Sequence, residues 1–271
     1  MNKILVFIFL LVTLGLAVYL VGQQTHLFSK ADVSITPQNI KITNISDNSF
    51  TISWTTQKST TGFIKFGENQ SLGNSLLDER DQDIPKPHFT HYVILENLQP
   101  DKTYFYNIDS GGETYDQKGV PFQQKTAPTT ENPPNLPEPI FGTIDPGNNQ
   151  DFAEALIYCQ LKNGSLLSTF TRENKWLITV NNARSEDLAS YIIPQDSDEV
   201  KITVALDNDN IKTIKSTFGN PEAWTQIALA GYLKPQSSSS SQVVQTVSQN
   251  NNILDWLRGL LSGLGLVWGK D

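Results

Sequence analysis

Two histidines close together are the first residues in this chain that could do chemistry. His88 and His91 are three positions apart, and a histidine pair can form part of a metal site. The surrounding residues alternate as in a β-strand, where positions three apart face opposite sides of the sheet. Neither a cysteine nor a third histidine is near them in the sequence. We therefore expect surface or groove histidines and predict no metal site.

Acidic side chains form two clusters. Asp78, Glu79, Asp81 and Asp83 could share a proton as paired carboxylates, but they belong to a polar loop and are expected to be solvated. The stretch Asp207-Asn208-Asp209-Asn210 begins like a calcium loop but lacks the glycine and the distal glutamate of an EF-hand. It lies between two β-branched segments and therefore predicts a hairpin turn.

The single cysteine, Cys159, is a candidate nucleophile. It shares a strand face with Ile157 and Leu161 and has no histidine near it, so we expect a buried, inert thiol. One cysteine also excludes an intrachain disulfide. The chain contains no Gly-x-Ser-x-Gly motif, no glycine-rich phosphate loop and no His-Glu-x-x-His motif. The sequence therefore predicts no catalytic residues and no cofactor, so the protein is not expected to be an enzyme.

Near its N-terminus the chain has an apolar run, Ile4–Val21, which holds no charged residue. As a helix it would be about 27 Å long, close to the ~30 Å hydrocarbon core of a bilayer. A cleavable signal has a shorter apolar region followed closely by a small-x-small site, whereas Ser29-Lys30-Ala31 lies well beyond this one. We predict that residues 1–31 are an uncut single-pass transmembrane anchor and its stem. The alternative is a cleaved signal and a secreted chain.

The orientation of this anchor follows from few charges. Lys3 precedes the apolar run, and the positive-inside bias then places the N-terminus in the cytoplasm and the C-terminal bulk outside it.

Residues 36–127 carry the alternation of half-buried antiparallel strands. Phe50, Ile52 and Trp54 alternate with Thr and Ser, and turn residues precede them. The stretch Leu98-x-Pro100-x-x-x-Tyr104 leads into an aromatic strand, as a tyrosine corner requires.

These features resemble a fibronectin type III domain, with Trp54, Leu98, Pro100 and Tyr104 as its structural markers. The segment TGFIKFG, which begins at Thr61, is also similar to the type III-like module that precedes the catalytic domain of purple acid phosphatases. The metal ligands of that catalytic domain are absent from this sequence, so the resemblance implies a fold and no phosphatase activity.

A proline-rich segment, 128–138, predicts a stiff spacer in the polyproline II conformation. Residues 139–234 then give about seven short strands and no convincing helix, hence a second sandwich. Asn163-Gly164 predicts a tight hairpin turn, and Trp176 marks an inward face. Residues 138–233 resemble carboxypeptidase regulatory-like (prealbumin-like) domains, which implies a non-catalytic accessory module.

The C-terminal tail has two parts. Residues 235–252 are rich in Ser, Gln and Asn and predict a disordered linker. Residues 253–271 have apolar side chains at helical spacing. The residues that could contact a membrane are Trp256, Leu257, Leu260, Leu261 and Trp268. This segment is an interfacial helix, a helix that docks on a partner or on the chain's own sandwich, or the start of a further span; the sequence leaves these three readings open.

The fold class predicted is all-β, with two tandem antiparallel, immunoglobulin-like sandwiches behind an N-terminal transmembrane helix. The net charge of −8 comes with no basic face, which disfavours nucleic-acid binding. We expect a non-catalytic protein at the cell surface that binds a protein or a glycan, with recognition by the loops at 68–86 and 184–197. The alternative is an accessory or scaffolding subunit of a surface hydrolase.

Overall fold

The computed structural model describes residues 33–132, 139–145 and 154–229. The predicted anchor Ile4–Val21, the tail segments 235–252 and 253–271, and residues 133–138 of the proline-rich segment lie outside the described residues. None of the helices within the described ranges has the length and apolar character needed to cross a membrane.

The first sandwich contains eight strands. In chain order they are β1 (Gln38–Thr43), β2 (Phe50–Thr60), β3 (Gly62–Gly67), β4 (Asn74–Leu77), β5 (His88–Leu95), β6 (Thr103–Ser110), β7 (Glu113–Tyr115) and β8 (Phe122–Lys125). One sheet has the order β1-β2-β5; the other has the order β4-β3-β6-β7, with β8 also paired to β6. Every pairing in these two sheets is antiparallel, so the predicted antiparallel sandwich is confirmed for this half.

Alternation along β2 explains the core of this sandwich. Phe50, Ile52 and Trp54 are fully buried and pack against side chains of the opposite sheet. In the connection between β5 and β6, the Gln99 backbone N–H donates to the Tyr104 hydroxyl at 2.9 Å. This bond ties the start of β6 to the connection before it, as a tyrosine corner requires.

Among its described residues, the second sandwich contains seven strands and one short α-helix, besides a 3-10 helix at Val180–Asn182. They are β9 (Pro139–Asp145), β10 (Leu156–Leu161), β11 (Leu167–Phe170), β12 (Lys175–Thr179), β13 (Glu199–Ala205), β14 (Ile211–Thr217), α1 (Glu222–Thr225) and β15 (Gln226–Ala228). The sheets have the orders β11-β10-β13-β14 and β12-β9-β15. The described part of the chain thus has the predicted all-β class, with α1 as a single helical turn.

One pairing departs from the antiparallel prediction, because β15 runs parallel to β9. The helical turn α1 brings the chain back alongside β9, and Trp224 of that turn is buried in the core with Trp176. A Cβ atom on Gly142 of β9 would lie 2.5 Å from the Trp224 carbonyl oxygen. Only glycine fits this close approach of the helical turn to the strand.

The two sandwiches are in contact, and the contact buries the second face of β10. Ile157 and Cys159 point into the core of the second sandwich. Leu156 and Tyr158 point the other way and form a separate buried cluster with Tyr92 of β5 in the first sandwich. The described residues therefore place the two sandwiches in direct contact. The sheet β1-β2-β5 packs through its outer face on the outer face of the sheet containing β10.

Candidate functional site at the junction of the two sandwiches

A side-chain amide joins the two sandwiches. Asn44 follows β1, and its side chain meets the backbone of Ser168 on β11. The amide nitrogen donates to the Ser168 carbonyl at 3.0 Å, and the amide oxygen accepts from the Ser168 N–H at 2.8 Å. The same amide nitrogen donates to the Tyr92 hydroxyl at 2.9 Å, which in turn donates to the Ser168 carbonyl. Asn44 therefore pairs with β11 as a neighbouring strand would.

The loop between β4 and β5 places an ion pair at one end of this contact. The Asp78 carboxylate is buried and receives two bonds from the Arg80 guanidinium, at 2.7 Å from Nε and 2.8 Å from Nη2. It also accepts from the Tyr92 N–H at 2.7 Å. Burial alone would raise the pKa of Asp78, but Arg80 and the backbone donors hold it below its usual value. Arg80 reaches across to the second sandwich, where its Nη1 lies 3.1 Å from Glu154 Oε2.

His88 extends this group of charges. Its Nδ1 lies 2.8 Å from Glu154 Oε2, and its Nε2 lies 3.0 Å from Asp81 Oδ1. Burial lowers the pKa of His88 and so does Arg80, but the two carboxylates outweigh them, so the pKa lies above its ordinary value. We call Asp78, Arg80, Asp81, His88 and Glu154 the junction ion network. Glu154 is its member from the second sandwich.

Two sequence-based expectations are wrong here. The expectation of solvated carboxylates fails for Asp78 and Asp81, whose side chains are 0% exposed. The expectation of surface or groove histidines fails for both His88 and His91. For Asp78, Asp81 and His88, the second sandwich contributes Glu154 at this end of the sheet, and Arg80 supplies the charge partner without which buried carboxylates are costly. His91 is buried for a different reason, because it lies on the inner face of β5 and packs on Trp54.

His91 lies on the opposite side of β5, as its spacing from His88 predicts. Its ring stacks on Trp54, with centroids 4.6 Å apart and an interplanar angle of 10°. Neither ring nitrogen has a hydrogen-bond partner among the described residues, and burial lowers the pKa of His91 to about 3. The imidazole is therefore a neutral member of the core. Within the described ranges, no group of three or more His, Cys, Asp or Glu residues could hold a metal ion.

An open groove of about 820 Å³ lies beside the junction. The β10–β11 hairpin, residues 160–166, forms one wall, and Ile45 of the first sandwich lines it as well. Glu186 and Leu188 come from the predicted recognition loop 184–197. Lysine and glutamate side chains both line the groove, so its charge is mixed. We call it the junction groove.

The remaining candidates have structural positions. Cys159 is buried, and burial raises the pKa of its thiol to about 12. The Asp207 carboxylate accepts bonds from the backbone N–H groups of Asp209 and Asn210 in the turn between β13 and β14. Trp176 is buried in the second core. The tail residues Trp256 to Trp268 lie outside the described residues.

Sequence reasoning missed the junction, although a signal for it is present. The segment Leu156-Ile157-Tyr158-Cys159 is apolar at every position, and a continuous apolar run is typical of a strand that is buried on both faces. On β2, the outward Ser53 is small and uncharged, and its hydroxyl lies 3.0 Å from the Tyr158 hydroxyl.

Comparison with known families identifies a model that matches the first sandwich. The family model described as "Purple acid Phosphatase, N-terminal domain" matches residues 37–126, nearly the bounds predicted for the first sandwich. That domain is a non-catalytic, fibronectin-like β-sandwich. The match and the strand order together establish a fibronectin-like fold for this part of the chain. A comparison with the curated proteins gives no match.

Comparison with solved structures gives distant likenesses. A structure of PhoD is 12% identical, covers 39% of this chain and 21% of its own, and has a TM-score of 0.26. The chicken CNTN1 FN1–FN3 domains are 13% identical, with coverages of 67% and 65% and a TM-score of 0.25. A two-domain fibronectin type III segment of chicken tenascin is 10% identical, with coverages of 66% and 97% and a TM-score of 0.23. The chain thus spans about a fifth of the PhoD structure.

Proposed function

We propose that this chain is a non-catalytic, membrane-anchored protein whose two sandwiches present one binding surface outside the cytoplasm, for adhesion or for contact within a surface complex. The observation that carries this proposal is the buried junction. Ile45 of the first sandwich and the hairpin 160–166 of the second line the same groove. The shape of the groove therefore depends on how the sandwiches dock, and the contacts of Asn44 with Ser168 fix that docking.

Separate observations support the other parts of the proposal. The non-catalytic role rests on the match of residues 37–126 to a non-catalytic domain. The anchor rests on the apolar run Ile4–Val21 in the sequence. The partner is a protein or a glycan, since a groove of mixed charge suits polar ligands of either class. The likeness of residues 138–233 to carboxypeptidase regulatory-like domains stays a prediction and agrees with an accessory role.

Site-directed photo-crosslinking in membranes tests this function. A photoreactive amino acid replaces Glu186, which lines the junction groove, and a control variant carries it at the exposed Glu113 on β7. We expect the full-length chain to capture a discrete partner from position 186 and not from position 113. Identical products from both positions, or none from either, would contradict a binding role for the groove.

A second candidate function is an accessory or scaffolding subunit of a cell-surface hydrolase. The match to a domain named for a phosphatase favours it. This function predicts that the full-length chain co-purifies with a hydrolase in stoichiometric amount, whereas the adhesion role predicts retention on glycans or on cell-wall material. Turnover of a phosphate monoester such as p-nitrophenyl phosphate by the purified chain itself would refute both non-catalytic roles.

A further inference from the structure

His88 bridges the two sandwiches through one carboxylate from each. Asp81 belongs to the first sandwich, and its Oδ1 lies 3.0 Å from His88 Nε2. Glu154 belongs to the second sandwich, and its Oε2 lies 2.8 Å from His88 Nδ1. A carboxylate oxygen accepts hydrogen bonds, and a neutral imidazole has only one N–H to donate. The geometry uses both ring nitrogens as donors, which requires the imidazolium form. Loss of its proton leaves one nitrogen lone pair facing a carboxylate oxygen.

We propose that His88 is a proton-operated latch between the two sandwiches: as imidazolium it donates to Glu154 and Asp81 together, and as neutral imidazole it donates to only one of them. The latch acts at one end of the junction. The separate pairing of Asn44 with Ser168 involves amide, hydroxyl and backbone groups, none of which changes charge near neutral pH. Release therefore loosens the end of the contact at which β10 begins and leaves the rest in place.

The charges around His88 favour its protonated form, and therefore the closed latch. Arg80 is the other cation of the network, and three carboxylates, those of Asp78, Asp81 and Glu154, surround the two cations. With His88 protonated the network carries a net charge of −1, from two positive and three negative groups. With His88 neutral it carries −2. His91, the remaining titratable neighbour, meets His88 edge-on with centroids 6.1 Å apart and adds no charge, because burial holds its pKa at about 3.

The direction of the pH dependence follows from linkage. The pKa of His88 is raised above 6.5 in the folded protein, so its contribution is fully present below about pH 6.5 and is lost as the pH rises through the folded value. The pKa of Glu154 is lowered below 4.5, because its bonds to His88 and Arg80 outweigh the effect of burial. Its contribution is present above about pH 4.5 and is lost as the pH falls. The latch is therefore closed from about pH 4.5 to 6.5 and opens above that range.

The pH dependence of the opening constant has an upper limit. Between the pKa that His88 has in the open junction and the higher pKa that it has in the closed one, the opening constant rises by up to tenfold for each pH unit. Arg80 Nη1 also lies 3.1 Å from Glu154 Oε2, and this ion pair does not require the proton of His88. Arg80 therefore limits the release without reversing its direction.

Nuclear magnetic resonance of the full-length chain tests the latch, because the protein has only three histidines. Histidine-labelled protein is titrated from pH 5 to 9, alongside Glu154→Gln and the control Glu199→Gln, which removes an exposed carboxylate elsewhere on the second sandwich. We expect His88 to titrate above 6.5 with both nitrogens protonated below that point. Glu154→Gln should lower its pKa by roughly one unit or more, since a nearby opposite charge shifts a pKa by about that much. Glu199→Gln should leave it unchanged.

Amide hydrogen exchange on the same samples separates a latch from a histidine that merely titrates. The difference in protection of the β10 and β5 amides between wild type and Glu154→Gln cancels the intrinsic pH dependence of exchange. We expect this difference to be largest at pH 6 and to fall, as His88 loses its proton, to the smaller part that the Arg80–Glu154 ion pair contributes. A difference that is independent of pH, a His88 pKa at or below 6.5, or an equal effect of Glu199→Gln would overturn the proposal.

Discussion

Replacing Leu156 with alanine probes the contact between the two sandwiches where it is most apolar. Leu156 is fully buried on β10 and belongs to the cluster that also holds Tyr92 and Phe170. Its neighbour Ile157 is equally buried but faces the core of the second sandwich. The two residues thus lie on the same strand and are equally buried, but they lie on opposite faces of that strand. Ile157→Ala is therefore the matched control.

The expected magnitude differs sharply between a docked and a free second sandwich. Truncation of a buried leucine or isoleucine to alanine costs about 2–5 kcal/mol of the free energy of unfolding. If the sandwiches were separate, Leu156 would lie on an outer face, where substitutions change stability by roughly 0.5 kcal/mol or less. Docking therefore predicts a loss of about 2–5 kcal/mol for Leu156→Ala, close to that for Ile157→Ala.

Urea unfolding of the full-length chain, followed by tryptophan fluorescence and circular dichroism, measures both losses. Trp54 lies in the first core, and Trp176 and Trp224 lie in the second. Leu156→Ala should lower the transition midpoint and separate the unfolding of the two cores, because it weakens the contact that couples them. A Leu156→Ala protein within about 0.5 kcal/mol of wild type, beside a strongly destabilised Ile157→Ala protein, would refute the reasoning.

Three further substitutions or treatments test single contacts. Asn44→Asp replaces the amide nitrogen that donates to the Ser168 carbonyl with an oxygen, so we expect a loss of about 1–3 kcal/mol in urea unfolding; an unchanged midpoint would contradict the pairing. Gly62→Ala places a Cβ 2.5 Å from His91 Nδ1, and overpacking of this kind should cost about 1–3 kcal/mol, read from the same curves. Cys159 should resist a thiol reagent such as DTNB in the native protein and react fully in denaturant, because burial raises its pKa to about 12; rapid native labelling would contradict its burial.

The sequence predicts the first sandwich well because its signals are local. Phe50, Ile52 and Trp54 alternate with period two, and Tyr104 follows its turn at the spacing that a tyrosine corner uses. Both features depend only on neighbours along the chain, and the structure places these side chains in the core.

The junction could not be predicted in the same way, because its partners are far apart along the chain. Ser168 lies 124 residues from Asn44, and Glu154 lies 66 residues from His88. A polar loop with several carboxylates is ordinarily solvated, and nothing in its own residues indicates that a second sandwich covers it. The apolar residues on both faces of β10 are the one local sign of a second buried surface, and they do not identify the surface that covers them.

The two sandwiches dock on each other through a buried junction, and a distance measurement between them tests this docking most directly. Spin labels at Ser75→Cys on β4 and Glu222→Cys on α1 occupy exposed positions, one on each sandwich, and the buried Cys159 stays unlabelled. Pulsed electron paramagnetic resonance of the full-length protein at pH 6 should give a single narrow distance distribution. A broad distribution, as expected of two domains that move independently on a linker, would contradict this docking.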